Sequence, residues 1–325
     1  MSEIKVVNKT RKAEITAFLM ENFVAIILTL FVIFMIFNRP SFRSWGNIVT
    51  IINDCCMYGI TALGMTVVVI CGEIDLSVSS VYAFGTCLFC ILCERMGVFP
   101  AALITLATGA VWGWINGLLV SRLRMPAFVA TLGTMYSIKG FAYYITLEKP
   151  VNTSNAALAR LGKMNLAGLT IVPLVFVIVL VALFLVMKYT KFGRDIYATG
   201  GNYEVARLSG INVKKSKCWV FIIVGICAAL SGIMYCTRVY SGAATYGADL
   251  TIWAVAAVVI GGTSMSGGSG GVLRTIIGIL LMAILFNALT LLGVDGSMQR
   301  FIRGMVLIVV ILFDTIARKS NSKKK

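Results

Sequence analysis

Histidine is absent from all 325 residues, and only 13% of the residues are charged. The first absence excludes a histidine proton relay and a zinc site of the cysteine–histidine type. The second is about half the charged fraction of an ordinary soluble domain. With it go 59% hydrophobic residues and a mean hydropathy of +0.92, so the chain reads as an all-α polytopic membrane protein. Proline is scarce too: five residues, Pro40, Pro100, Pro126, Pro150 and Pro173, all at or near the ends of apolar runs, where helices begin and end. No G-x-x-x-x-G-K-[ST] phosphate loop occurs. The glycine-rich "GGTSMSGGSGG" (261–271) lacks the lysine. It reads as a tight, irregular connection between two spans, with Ser264, Ser266 and Ser269 available to freed backbone groups.

What is present is a succession of apolar runs, each near the roughly 20 residues that a spanning helix needs. Ten spans are expected, at about 22–37, 47–71, 78–93, 98–120, 126–146, 170–187, 218–237, 250–264, 272–292 and 300–316, with eight as the runner-up count. The second is interrupted by Asp54, and the last begins with Arg300 and Arg303. The first run follows Lys5, Lys9, Arg11 and Lys12 without a small-residue cleavage site, so it is expected to be retained. With the N-terminus inside, 19 Lys and Arg fall on the cytoplasmic side and 9 outside, Lys139 lying within a span. The positive-inside rule then puts both termini in the cytoplasm. The expected layout is a cytoplasmic tail 1–21, a transmembrane domain 22–316 and a basic tail 317–325. The formal net charge of +16 is accounted for by inner-leaflet lipid rather than nucleic acid, because no basic groove with interleaved aromatics is evident.

"CLFCILC" sets Cys87, Cys90 and Cys93 at three-residue spacing. In an apolar helix, and without histidine or a second loop pair, cysteine acts as a small hydrophobe. No metal or other cofactor is expected.

The polar loop 188–217, "KYTKFGRDIYATGGNYEVARLSGINVKKSK", carries more chemistry. Gly193, Gly200 and Gly201 are expected to break the backbone there. Asn202 fits an N-cap, "YEVARLS" a short helix with Glu204 in its first turn, and Gly210 a stop. Either the loop is a linker with incidental helicity, or it presents a rigid helix to a partner. "CGEIDLSVSS" (71–80) sets Glu73 and Asp75 after the apolar "ITALGMTVVVI". A charge at mid-bilayer costs roughly 2.5–3.5 kcal/mol, so these carboxylates are expected at the cytoplasmic interface. Asp75 would cap the third span by accepting from the N–H of Ser77 or Val78.

Here a resemblance enters. Glu204-Val205-Ala206-x-x-x-Gly210 resembles the E-A-A-x-x-x-G loop of ABC-transporter permeases, with Val205 for the first alanine and without the I-x-L-P that often follows. "GRDIYATGGNYEVARLSGINV" is similar to the loop of ribose-type monosaccharide permeases. "GEIDLSVSS" resembles that family's G-G-I-D-L-S-V-G-S, with Glu73 and Ser79 where it has glycine. "PAFVATLGTMYSIKG" and "VVIGGTSMSGGSGGVLRTIIGILLMAILFNALTLLGV" match two further segments, so the resemblance runs from about 45 to 314.

It implies an importer membrane subunit, not an enzyme, in the bacterial inner membrane. It also implies a second permease chain, identical or closely related. Two cytoplasmic ATP-binding subunits, or a duplicated ATPase, would engage 188–217, and an extracytoplasmic sugar-binding protein would deliver substrate. Gly193, Arg194, Gly200, Gly201, Asn202, Glu204, Ala206 and Gly210 are the ATPase-coupling candidates. Gly72, Asp75 and Ser77 are candidates for a gating helix break, and Asn116, Thr131, Thr134 and Asn287 for the substrate path. Asp75 either holds a turn or lines a gate, and Asn116 and Asn287 serve equally as interhelical hydrogen-bonding residues.

Three alternatives stand beside this reading. A nucleoside or amino-acid permease of related fold is the nearest. An ion-coupled secondary transporter would want mid-helix acids and internal repeats, but only Asp54, Glu73 and Asp75 come near the membrane and no clear repeat is found; a channel would want a charged ring or carbonyl filter, and neither is evident.

Overall fold

A computed structural model of the chain describes residues 23–163 and 169–322. Its helices, in order, are α1 (Phe23–Asn38), α2 (Trp45–Ile70), α3 (Val78–Met96), α4 (Val98–Ser121), α5 (Ala127–Thr146), α6 (Ala156–Lys163), α7 (Ile171–Tyr189), α8 (Lys191–Gly201), α9 (Tyr203–Leu208), α10 (Val213–Val239), α11 (Leu250–Ile260), α12 (Val272–Leu291) and α13 (Gly296–Ser322). A helix lies at each of the ten expected apolar stretches. Six, namely α2, α3, α4, α7, α10 and α12, are long and apolar enough to cross a membrane. Two shorter apolar segments, Thr29–Asn38 and Leu250–Ile260, accompany them.

The prolines sit where no helical hydrogen bond is lost. Pro126 is the N-cap of α5, and Pro100 and Pro173 fall in the first turns of α4 and α7. The last helix starts at Gly296 rather than 300, because Asp295 Oδ1 accepts from the N–H groups of Ser297 and Met298 and so opens it a turn earlier. That helix runs to Ser322, into the expected basic tail. The expected tail 1–21 lies outside the described residues.

α2, α3 and α10 are mostly buried within the chain, whereas α4 and α7 keep most of their surface outward. α4 and α10 pack backbone to backbone through Gly109, Gly113 and Gly117. A Cβ at these positions would lie 2.6 Å from the Gly225 carbonyl oxygen, 2.2 Å from that of Phe221 and 2.8 Å from Cys218 Cα, respectively. In lipid, apolar burial gives helices little reason to associate, so backbone contact of this kind over small residues supplies the packing. Cys87, Cys90 and Cys93 are fully buried core residues, and all nine cysteines are free.

The connections gather at two ends. At one end the α2–α3 segment, the α4–α5 turn, α8–α9 and the 261–271 loop meet. At the far end a two-residue ladder pairs β1 (Val151–Asn152) antiparallel with β2 (Ser241–Gly242). There Glu94 also accepts hydrogen bonds from Thr153 and Ser154.

Candidate functional site

Three consecutive side-chain caps fix the 188–217 loop. Thr190 Oγ1 accepts from Gly193 N–H at 3.2 Å, Asn202 Oδ1 from Val205 N–H at 3.1 Å, and Asn212 Oδ1 from Lys215 N–H at 3.0 Å. They start α8, α9 and α10 in turn. Gly210, at φ +81°, ends the turn after α9, and Ile211 N–H donates to the Ala206 carbonyl at 3.1 Å. Ala206 is buried, while Val205 is 58% and Leu208 78% exposed, so α9 turns an apolar edge outward. Glu204 Oε2 accepts from Arg207 Nε at 3.0 Å and Nη2 at 2.8 Å along the same exposed face.

Gly193, Gly200 and Gly201 do not break the backbone as expected; all three lie within α8. Glycine is required at two of them by close approach. A Cβ at Gly193 would meet the Met187 carbonyl oxygen at 2.2 Å, and one at Gly200 the Ile70 carbonyl oxygen at 1.9 Å. That Ile70 carbonyl, at the end of α2, accepts from Gly268 N–H at 2.8 Å. Gly72 (φ +83°) and Gly267 (φ +81°) pack beside it. Tyr197 completes the junction by donating its hydroxyl to the Gly270 carbonyl at 3.0 Å. Burial raises its pKa above the ordinary tyrosine value. The end of α2, α8 and the 261–271 loop are thus joined backbone to backbone. That loop is irregular as expected, with Ser266 N–H donating to Ser264 Oγ at 3.1 Å and four of its glycines at positive φ. Arg194 is exposed on α8.

The break after α2 holds both carboxylates, and each is held by protein groups. Glu73 pairs with Lys217 at the start of α10, and the Lys217 ammonium also lies 5.4 Å from the Tyr203 ring of α9. Asp75 is 1% exposed. Its Oδ1 accepts from Ser77 N–H at 2.7 Å and Ser77 Oγ at 2.6 Å, and Asn116 Nδ2 stands 3.5 Å from Oδ2. The expected bond to Ser77 N–H forms, yet the residue at the N-cap position of α3 is Ser77 itself. Protein donors, in place of water, hold the buried charge.

Four of the candidate residues come together around Asp75. Asn116 donates to Ser77 Oγ at 2.8 Å and accepts from Thr134 Oγ1 at 2.7 Å, while Thr131 Oγ1 accepts from Leu76 N–H at 3.1 Å. Thr251 of α11 adds a bond to the Leu76 carbonyl at 3.2 Å. Asn287 is elsewhere: it exchanges two hydrogen bonds with Asn47, at 2.8 and 3.0 Å, and lines a cavity of about 400 Å³ at the far end. The charged residues that interrupted the expected spans are there too. Asp54 pairs with Arg238, and Arg303 with Asp249 at 3.0 Å. Sequence reasoning missed Lys217, Thr251 and this cavity; the only trace was charge inside apolar runs.

A capped helix on a basic loop, joined to a polar break between buried helices, places this site at one end of a multi-helix membrane protein. The family model described as "Branched-chain amino acid transport system / permease component" matches residues 47–311, and the chain belongs to this family of importer permeases. It is 36% identical over 314 residues to the ribose import permease protein RbsC of Haemophilus influenzae, covering 94% of this chain and 97% of that one. It is also 36% identical over 303 residues to RbsC of Escherichia coli, covering 92% and 94%. To the L-arabinose transport system permease protein AraH of E. coli it is 32% identical over 294 residues, covering 86% of each. No solved structure matches the chain. The chain is accordingly a multi-pass membrane transport component of the ribose type, and not an enzyme.

Proposed function

We propose that the chain forms the translocation path of an ATP-driven, binding-protein-dependent importer for a monosaccharide of the pentose or hexose class. It would sit in a bacterial inner membrane with ten spans and both termini cytoplasmic, beside a second permease chain. Two ATP-binding subunits would dock at α8–α9, and a sugar-binding protein at the far end. The observation that carries this reading is near-full-length similarity to ribose and arabinose permeases, in a chain whose α9 presents Val205 and Leu208 to solvent. An exposed apolar edge on a capped six-residue helix is what a groove on a partner recognises.

The geometry gives this docking a mechanical outlet. A displaced α9 pulls on Lys217 through Tyr203 and therefore on Glu73. A displaced α8 pushes Gly200 directly against the Ile70 carbonyl. Both inputs reach the 71–77 break, whose position is held by the Asp75–Ser77–Asn116–Thr134 bonds. In this reading Gly72, Asp75 and Ser77 form the moving element, Asn116, Thr131 and Thr134 hold it on α4 and α5, and Asn287 belongs to the substrate cavity.

The test is uptake by vesicles that contain the permease, its ATPase and its binding protein. ATP-dependent accumulation of D-ribose or L-arabinose, insensitive to an uncoupler, is expected. Accumulation of L-leucine alone would move the substrate to the amino-acid class named in the family description. Uptake without ATPase that collapses with an uncoupler would replace the importer with an ion-coupled carrier.

A further inference from the structure

The coupling just described leaves one groove beside the α8 junction unused. The end of α7, the middle of α8 and the start of α12 enclose about 630 Å³ there. Lys188 comes from α7, Arg194 from α8 and Arg274 from α12, and all three are exposed. Among the described residues, no acid lines this groove and none pairs with these cations. The elements around it offer little to offset them: α7, α12 and the 261–271 loop contain no acidic residue, and α8 contains only Asp195. Asp195 lines a separate cavity with Lys191 and Lys215. The Lys188 ammonium lies against ring faces, 5.2 Å from the Phe184 centroid and 5.1 Å from that of Tyr189. Tyr197, the remaining polar side chain of the lining, is turned to the Gly270 carbonyl. A lone surface cation needs no partner. Three from separate elements, converging on one acid-free groove, repel one another until an anion joins them.

The apolar surface leading from the groove selects the kind of anion. Each flanking helix carries exposed aliphatic side chains there, Val181 and Leu185 on α7, Leu273 and Ile277 on α12. The four-residue spacings put each pair on one helix face. Lys188 continues the α7 face three residues after Leu185, and Arg274 stands three before Ile277. α7 is long and apolar enough to cross a membrane and keeps most of its surface outward, so its stripe meets acyl chains. Lys188 and Tyr189 close that stripe where the span ends. A soluble phosphate or nucleotide has nothing to lay on such stripes. A phospholipid has a phosphate for the cations and chains for the two helices. We infer that the groove binds an anionic phospholipid, its phosphate held by Lys188, Arg194 and Arg274 and its chains laid along α7 and α12. Bound lipid ties α7, α8 and α12 together beside the Gly200–Ile70 contact. Arg194, a coupling candidate by resemblance, then holds lipid. The inference needs a membrane-embedded chain and does not rest on the sugar reading.

The experiment uses the full-length permease in a neutral detergent, with radiolabelled phosphatidylglycerol as the probe. Saturable retention is expected, displaced by unlabelled phosphatidylglycerol but not by phosphatidylcholine, inorganic phosphate or ATP. The triple variant Lys188→Gln, Arg194→Gln, Arg274→Gln weakens retention at least tenfold. A second triple variant, Lys191→Gln, Lys214→Gln, Lys215→Gln, removes the same charge from exposed positions outside the groove and changes retention less than twofold. An unchanged unfolding midpoint in neutral detergent verifies that each variant is folded. Should the first triple variant fail to fold, Arg274→Gln alone carries the test and weakens retention at least threefold. Retention that is absent from the wild type, or undiminished in the groove variant, overturns the inference. Equal loss in both triple variants also overturns it, since diffuse charge then suffices. Displacement by phosphate or ATP overturns it too, and makes the groove a site for soluble anions. Sugar uptake by wild-type vesicles tests the importer reading separately, so either can fail without the other.

Discussion

Gly200 and Gly201 are neighbours at the end of α8, and alanine at the two positions should act in opposite directions. A methyl on Gly200 lies 1.9 Å from the Ile70 carbonyl oxygen and 2.7 Å from the Gly268 nitrogen. The first distance is roughly 1.5 Å short of van der Waals contact. Both obstructing atoms are backbone, and they are the two partners of the Gly268–Ile70 hydrogen bond. No rotamer change relieves the overlap, so α8 must move away from α2 or that bond must open. The expected cost is at the top of the overpacking range, about 3 kcal/mol. A methyl on Gly201 meets only Gly268 Cα, at 3.9 Å. Alanine there removes unfolded-chain freedom and improves helix propensity, a gain of about 0.4–1 kcal/mol. The assay is the unfolding midpoint of each purified variant in detergent, followed by ATP-dependent uptake in vesicles. Gly200→Ala should lower the midpoint and cut uptake severely, while Gly201→Ala should match or exceed the wild type in stability. Equal behaviour of the two variants would refute the backbone junction between α8 and α2.

Other predictions follow from the same structure. Asp75→Leu leaves the N–H and hydroxyl of Ser77 buried without their acceptor, and should destabilise by about 2–4 kcal/mol. Asp75→Asn keeps one acceptor and should cost less than half as much in the same unfolding assay. Reversing one charge of the half-buried Glu73–Lys217 pair should lower the midpoint and the uptake rate. The swapped pair Glu73→Lys with Lys217→Glu should recover at least part of both, with a coupling energy above about 1 kcal/mol in a double-mutant cycle. Gly113→Ala puts a methyl 2.2 Å from the Phe221 carbonyl oxygen and should reduce the yield of folded protein. Gly140→Ala, in open space, should not.

The parts of this molecule that are local in the chain are legible in the sequence. Apolar runs of roughly 20 residues locate the helices, and Asn202 and Gly210 bracket α9 because a side-chain cap and a positive-φ stop act within a few positions. Elements that depend on distant partners are not legible. Gly200 looks like a helix breaker until Ile70 appears against it. Asp75 looks like an interfacial acid until Asn116, 41 positions away, reaches it. Lys217 is 144 positions from Glu73 and Asn287 is 240 from Asn47, and nothing in either local pattern names the other. The Gly109, Gly113, Gly117 spacing is a helix-contact signal, masked by the apolar character of the run that carries it. The far-end cavity needs five segments at once. Its only sequence trace was Asp54, Arg300 and Arg303 intruding on apolar stretches.

The central claim is that α9 is the point at which an ATPase drives this permease. Glu204 and Arg207 are more than half exposed and their ion pair adds little to stability, and Leu208 is 78% exposed. Changes there should leave the fold intact and act on the partner alone. The most direct measurement is ATP-dependent sugar uptake by vesicles bearing Leu208→Glu, Glu204→Lys or Val205→Glu, each at wild-type permease density. The expected result is inserted, folded permease with uptake reduced at least tenfold and the ATPase no longer co-purifying. Uptake at the wild-type rate in all three would contradict the account.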